Sequence, residues 1–385
     1  MSLKISARGQ IDPFIVMDVM RAASALDVAG EDIVHLEVGQ PSTAAPALVR
    51  EAAVAALQTD KLGYTDAFGI APLRERIAAH YQDFYGVNVD PAGVIVTTGS
   101  SGGFLLSFLA AFDVGDRVAL AAPGYPAYSN ILSALGVEPV IIETGLEDRF
   151  QPTPELLAKV AGKLDGLIVA SPSNPTGTMV GKPEMEALVA YCRDNGMRLI
   201  SDEIYHGITY GDESVTAAAF DSEAVVINSF SKYFSMTGWR LGWMIVPPTM
   251  MRSIECLSQN VFISAPTLSQ QAALAAFDSH DELRENVARY GKNREILLSQ
   301  LPEAGFDRLA PADGAFYIYA DIGHLTNDSS EFCRRMLVEA KVAATPGLDF
   351  DPYRGNTTIR FSFAGSEADM HQAIERLKRW RNETG

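Results

Sequence analysis

From about residue 90 onward, short apolar and β-branched runs alternate with helix-patterned stretches, the arrangement of βαβ units around a parallel sheet. VIVTT (94–98), RVALAA (117–122), VEPVII (137–142), GLIVA (166–170), MRLIS (197–201) and AVVINS (224–229) read as strands buried on both faces. Between GLIVA and MRLIS one helix is marked at both ends. Pro183 and Glu184 suit its first turn, Leu188, Val189 and Cys192 give an apolar stripe, and Gly196 stops it. That crossover is expected to be right-handed. RLGWMIV (240–246) follows the sixth strand too soon for a crossover helix, so it is expected to run antiparallel at or near one end of the sheet. The pattern predicts an α/β fold with a mixed, mostly parallel seven-stranded sheet sandwiched by helices.

After Pro266 the chain turns strongly helical to about residue 300, and then strand-like pieces, AFYIYADI (315–322) and TTIRFSFA (357–364), mix with helices. This change predicts a smaller α+β domain. Its last helix runs from Ser366 to about Trp380, with Ser366 and Asp369 spaced as a capping box and Met370, Ala373, Ile374 and Leu377 on one face. The expected division is an N-terminal segment (1–45) joining the small domain, a large domain (46–285) and the small C-terminal domain (286–385).

Composition narrows the function classes. In 385 residues, 47% hydrophobic and 21% charged positions exclude disorder as a description of the whole chain. A formal charge of −17 has the wrong sign for holding a phosphodiester backbone, so no nucleic-acid partner is expected. The three cysteines, Cys192, Cys256 and Cys333, are scattered and read as buried thiols of a reducing compartment. Six dispersed histidines show no paired metal-ligand spacing, and no metal is expected. MSLKISARGQIDPF lacks the apolar run of a secretory signal, and FLLSFLAAF (104–112) falls short of the roughly 20 residues that span a bilayer. A cytoplasmic protein without a membrane segment is expected.

Ligands of open parallel sheets sit beyond the carboxyl ends of the strands, which directs attention to the residues that follow each one. GSSGG (99–103) opens a helix and reads either as an anion cradle built on backbone N–H groups or as a tight turn. PGYPAY (123–128) presents Tyr125 and Tyr128 at the sheet edge, where tyrosines are more often packing residues than a stacking platform. SPSNPTGT (171–178) carries Asn174, whose amide can face a ligand. DEIYHG (202–207) places Asp202 at a strand end, where a buried acid calls for a positive partner, either a neighbouring Arg or Lys or a bound group. His206 beside it reads equally as support for that segment or as an ordinary strand-end histidine. SFSKYFSMTGWRLGW (229–243) sets Lys232 just past a buried strand, with Ser229 and Ser231 before it and Arg240 after it. A desolvated lysine forms Schiff bases, and hydroxyls with a guanidinium suit a phosphate. These needs converge on pyridoxal 5′-phosphate.

SPSNPTGT, SDEIYHG and SFSKYFSMTGWRLGW, in this order, resemble the class I/II aminotransferases, the fold-type I pyridoxal-phosphate enzymes of the aspartate aminotransferase superfamily. GQPS (39–42), YTDAFGIAPLRERIA (64–78), PADGAFYIY (311–319) and TTIRFSFA extend the resemblance over nearly the whole length. It implies that the large domain binds the cofactor and that Lys232 holds it as a Schiff base and shuttles the substrate's α-proton. Asp202 would pair with the protonated ring nitrogen, Tyr205 and Asn174 would hydrogen-bond the ring oxygen, and Tyr125 would stack on the ring. Ser101, Gly102, Ser229, Ser231 and Arg240 would hold the phosphate, joined by Tyr64 from the neighbouring subunit of a homodimer with shared sites. Arg360 would take the substrate carboxylate, although an arginine on an amphipathic strand taken alone pairs more often with an acid. Gly39 would line the substrate pocket.

The implied activity is transfer of an amino group from an L-amino acid to a 2-oxo acid by a ping-pong mechanism. GQPSTAAP (39–46) offers small neutral residues and no second arginine, which leans toward neutral or aromatic substrates. A β-elimination lyase acting on cysteine conjugates would use the same lysine and stands as the alternative. A non-catalytic effector-binding protein, as in some transcription regulators, is a remote one, since no DNA-binding extension is read ahead of the enzyme-like portion and the charge is strongly negative.

Overall fold

The computed structural model describes residues 3–384. Seven strands form the large sheet: β1 (Val94–Thr97), β2 (Arg117–Ala122), β3 (Glu138–Glu143), β4 (Gly166–Ala170), β5 (Arg198–Asp202), β6 (Val225–Ser229) and β7 (Gly242–Ile245). Their spatial order is β1-β7-β6-β5-β4-β2-β3. Only β7 is antiparallel to its neighbours, one strand in from the edge, as its short connection to β6 dictates. Side chains alternate between two apolar layers. Val94, Val96, Leu167, Leu199, Val226 and Trp243 face one layer, and Ile95, Ile168, Ile200, Ile227 and Met244 face the other. With both faces covered, the parallel strands can be continuously hydrophobic.

Helix α1 (Ile15–Val28) lies near the N-terminus. Among the helices that cover the large sheet, α2 (Gly99–Ala111) follows β1, α3 (Pro126–Leu135) follows β2, and α4 (Lys182–Asp194) joins β4 to β5 with Met185, Leu188, Val189 and Cys192 buried. Gly196 adopts the left-handed conformation just beyond α4, at the stop read from the sequence.

A second, wholly antiparallel sheet is built from β8 (Arg308–Leu309), β9 (Tyr317–Asp321), β10 (Thr345–Pro346) and β11 (Thr358–Ser362) in the order β10-β11-β9-β8. Its register sets Arg360 opposite both Tyr319 and Thr345. The last helix, α5 (Glu367–Thr384), buries Met370, Ala373, Ile374, Leu377 and Trp380. Ser366 and Asp369 exchange reciprocal side-chain bonds with each other's N–H at 3.1 and 2.9 Å, forming the capping box. The helix continues four residues past Trp380 because nothing in Arg381–Thr384 breaks it. The N-terminal segment reaches this second sheet. Val34–His35 pairs in parallel with Val342–Ala343, and Ser362 N–H bonds the Leu36 carbonyl at 2.6 Å.

No helix among the described residues is long and apolar enough to cross a membrane. Among them no cluster of His, Cys, Asp or Glu has the arrangement of a metal site.

Candidate active site

A cavity of about 440 Å³ opens at the carboxyl ends of the parallel strands, where the loops after β2, β4, β5 and β6 meet the N-terminal segment and Arg360. Lys232 enters it from the turn after β6. Its Nζ donates to the Gly39 carbonyl at 2.6 Å and lies 5.7 Å from the centre of the Tyr205 ring. Burial, then the charges of Arg360 and Arg240, lower this amine to about 8, with Asp202 opposing them. The close approach of Gly39 depends on its missing side chain, since a Cβ there would lie 1.8 Å from the Tyr317 hydroxyl. That hydroxyl in turn bonds the Tyr205 hydroxyl at 2.6 Å.

Asp202 closes β5 and is 3% exposed. The Tyr128 hydroxyl donates to Oδ2, and the Ile204 N–H donates to Oδ1 at 3.2 Å. No lysine or arginine among the described residues makes an ion pair with it, so the positive partner expected from the sequence is not a neighbouring side chain. Burial raises its carboxyl from 3.8 to about 6; the Tyr128 and Ile204 bonds and the Lys232 charge offset only part of that effect. The result is a buried carboxylate aimed into a cavity with room for a cation.

One end of the cavity is arranged for an anion. Ser100 and Ser101 stand in the first turn of α2, and Ser231, Thr237 and Arg240 face the same space. Arg240 anchors itself through Nη1 to the Thr237 carbonyl at 3.1 Å. Gly99, at φ +67°, lets the guanidinium pass: a Cβ there would sit 2.6 Å from Arg240 Nη2. A guanidinium beside the positive end of a 13-residue helix is a strong anion site.

Arg360 is 2% exposed yet meets no acid among the described residues. Its Nη1 donates to Asn174 Oδ1 at 2.7 Å and its Nη2 to the Glu37 carbonyl at 2.6 Å. Its guanidinium lies between the rings of Tyr317 and Phe350, at 4.4 and 4.6 Å. With its oxygen engaged by Arg360, Asn174 has its NH₂ group left to donate elsewhere. The pairing with an acid that an isolated strand arginine would lead one to expect is therefore not what holds Arg360.

Of the residues singled out from the sequence, Lys232, Asp202, Tyr205, Asn174, Tyr125, Ser101, Ser231, Arg240, Arg360 and Gly39 line this one cavity. Three do not. Ser229 is buried behind Ser231, to which it donates at 2.9 Å. Gly102 is buried one position further into α2 and faces Phe262. Tyr64 is 83% exposed and lies outside this cavity. Sequence reading missed Tyr317, Thr237, the bond from Tyr128 to Asp202, and the wall formed by Phe14, Val16 and Met17 of the N-terminal segment.

The sequence pattern of the family described as aminotransferase class I and II matches residues 31–377. The chain belongs to this aminotransferase family. It is 50% identical over 384 residues to the valine–pyruvate aminotransferase of Mycobacterium tuberculosis, covering 99% of each chain. The crystal structure of an aminotransferase from Mycobacterium tuberculosis superposes with a TM-score of 0.97 at 49% identity, covering 99% of this chain and 100% of the other. An aspartate aminotransferase from Thermus thermophilus, solved with maleate, gives a TM-score of 0.92 at 32% identity, covering 98% of this chain and 100% of that one. Aminotransferases of this family depend on pyridoxal 5′-phosphate and share fold type I. The cavity fits that group: it offers an amine of lowered pKa, a buried carboxylate without a cation, an aromatic wall at Tyr125 and an anion-binding end.

Proposed function

We propose that this aminotransferase moves the amino group of a neutral, apolar L-amino acid to a small 2-oxo acid of the pyruvate type, in two half-reactions that alternate at one site. The observation that carries this reading is the convergence of Lys232, Asp202 and Arg360 on one cavity, each buried or half-buried and none paired with an opposite charge. The bound cofactor supplies an aldehyde for the amino group and a ring that accepts electrons. The protein supplies the rest.

Lys232, lowered to about 8, keeps part of its amine neutral near neutral pH and so can hold the aldehyde. When free, the same amine would take the proton from the substrate's α-carbon and hold it for return. Asp202 would hold the protonated ring nitrogen, with Tyr128 keeping its carboxylate oriented. Tyr205 and the free NH₂ of Asn174 would hydrogen-bond the ring oxygen, and Tyr125 would stack on the ring. Ser101, Ser231 and Arg240 would hold the phosphate, with Ser229 acting through Ser231 and Gly102 through the start of α2. Arg360, flattened between two rings, presents its guanidinium to the α-carboxylate, with Gly39 alongside. Tyr64 completes the phosphate site of the second copy in a homodimer, a reading that its exposure supports.

For the substrate, two observations support an apolar side chain. Phe14, Val16 and Met17 line the cavity, and among the described residues the only lysines and arginines lining it are Lys232, Arg240 and Arg360, each already matched to another group. The relative from Mycobacterium tuberculosis is named for valine and pyruvate. Steady-state assays with L-valine, L-leucine, L-phenylalanine, L-aspartate and L-glutamate against pyruvate and 2-oxoglutarate test the reading. Parallel lines in double-reciprocal plots and a higher kcat/KM for L-valine with pyruvate than for L-aspartate are expected. Faster reaction with L-aspartate would overturn the substrate class. Pyruvate and ammonia released from a cysteine conjugate without any acceptor, and no transfer, would overturn the reaction.

A further inference from the structure

Helix α1 has no cap of its own. Phe14 occupies the position before its first residue and has no side-chain acceptor, so the first N–H groups need partners from elsewhere. They find one carboxylate, 334 and 333 positions away. Asp349 Oδ1 accepts from Ile15 N–H at 2.8 Å, and Oδ2 accepts from Val16 N–H at 3.1 Å. Asp349 is 6% exposed, and its negative charge faces the positive end of the helix, the favourable sign.

The same turn binds two other parts of the site. Phe350, the next residue, lays its ring 4.6 Å from the Arg360 guanidinium. Its carbonyl accepts from Gly124 N–H at 2.9 Å, directly before Tyr125. At the tethered end of α1, Phe14 packs edge-on against Tyr125 with ring centroids 5.6 Å apart. One short turn therefore meets all three parts through separate groups: the Asp349 carboxylate holds the apolar wall, while the ring and carbonyl of Phe350 hold Arg360 and the residue before Tyr125.

We propose that Asp349 is a positioning residue for substrate recognition. It holds the start of α1 so that Phe14, Val16 and Met17 form a subsite for a branched aliphatic side chain. The proposal rests on the reading of the cavity as an amino-acid site. Valine carries two methyl groups that such a wall would bury, whereas the single methyl group of alanine is bonded directly to the α-carbon and gains less from it.

The test uses coenzyme-loaded enzyme in single half-reactions followed by coenzyme absorbance. Asp349→Ala should raise the L-valine concentration giving half the maximal rate by about tenfold, the loss expected for a removed helix cap. Its maximal rate, and both constants for L-alanine, should stay within about twofold. Asp349→Asn, which keeps one acceptor, should fall between. Ile15→Pro removes one of the two N–H donors at a position where proline suits a helix. It should shift the L-valine constant in the same direction, and combining it with Asp349→Ala should add little.

Equal losses for both amino acids, or wild-type constants for both, would overturn the proposal. Amide hydrogen exchange supplies a readout that needs no chemistry. Residues 15–20 should exchange about tenfold faster in Asp349→Ala while β11 is unchanged, and unchanged protection in α1 would likewise overturn the tether. If the wild type converted neither amino acid, the proposed function would fall while the exchange data still decided the role of Asp349.

Discussion

Replacing Asp202 by asparagine should stabilise the cofactor-free protein. Burial lifts this carboxyl from 3.8 to about 6, against the pull of Tyr128, the Ile204 amide and Lys232. Because the folded pKa lies above the unfolded one, the folded state binds more protons between about pH 4 and 6, and stability falls as pH rises through that window. At about 1.36 kcal/mol for each pKa unit, the ionised group costs the cofactor-free fold about 3 kcal/mol at pH 7. Asp202→Asn removes the charge and keeps an oxygen to accept from the Tyr128 hydroxyl. Urea denaturation of both cofactor-free proteins should therefore show the variant about 3 kcal/mol more stable at pH 7 and the two nearly equal at about pH 4. Pyridoxal phosphate should reverse the ranking, since only the wild type offers a carboxylate to the ring nitrogen. A variant less stable than wild type at pH 7, or a difference independent of pH, would refute the argument that this carboxylate is held at a cost for the sake of a cationic ligand.

Other predictions follow from the same geometry. The Lys232 amine of cofactor-free protein should titrate near 8 in competitive acylation, protonated below and reactive above, and an inflection near 10.5 would show an ordinary surface lysine. Arg360→Lys loses the planar fork held between Tyr317 and Phe350. It should raise KM for donor and acceptor by about 10- to 100-fold with a smaller change in kcat, and unchanged KM values would place the carboxylate elsewhere. Gly39→Ala drives a methyl group into the Tyr317 hydroxyl and should cost about 1–3 kcal/mol in thermal or urea stability while weakening substrate binding. A wild-type melting profile would contradict the tight contact. Co-assembly of Lys232→Ala with a Tyr64 variant impaired in cofactor binding should restore activity through one intact site, if the two copies share their sites as proposed.

The strand-end logic made most of the site legible. A parallel sheet brings the residues after β2, β4, β5 and β6 to one edge, so Tyr125, Asn174, Asp202 and Lys232 could be located without knowing the packing. Contacts set by the tertiary arrangement were not legible. Tyr128 reaches Asp202 because α3 begins directly after Tyr125 and turns the next aromatic toward β5, a direction that spacing alone does not reveal. For Asp202 the sequence left open a neighbouring Arg or Lys or a bound group as its positive partner; among the described residues only a hydroxyl and a backbone amide bond it, and it faces the cavity. Ser229 and Ser231 look equivalent in the sequence, but Ser229 ends β6 with its hydroxyl turned to Ser231 and the Leu241 carbonyl, whereas Ser231 lies past the strand and reaches the cavity. The wall of Phe14, Val16 and Met17 was hidden because the signal that positions it, Asp349, lies at the far end of the chain.

The account depends on a covalent bond between Lys232 and the coenzyme. Borohydride reduction of the coenzyme-loaded protein, followed by proteolysis and mass spectrometry, should place a single pyridoxyl group on the peptide carrying Lys232, and none on any peptide of Lys232→Ala. A pyridoxyl group on another lysine, or Lys232 recovered unmodified from active enzyme, would contradict it.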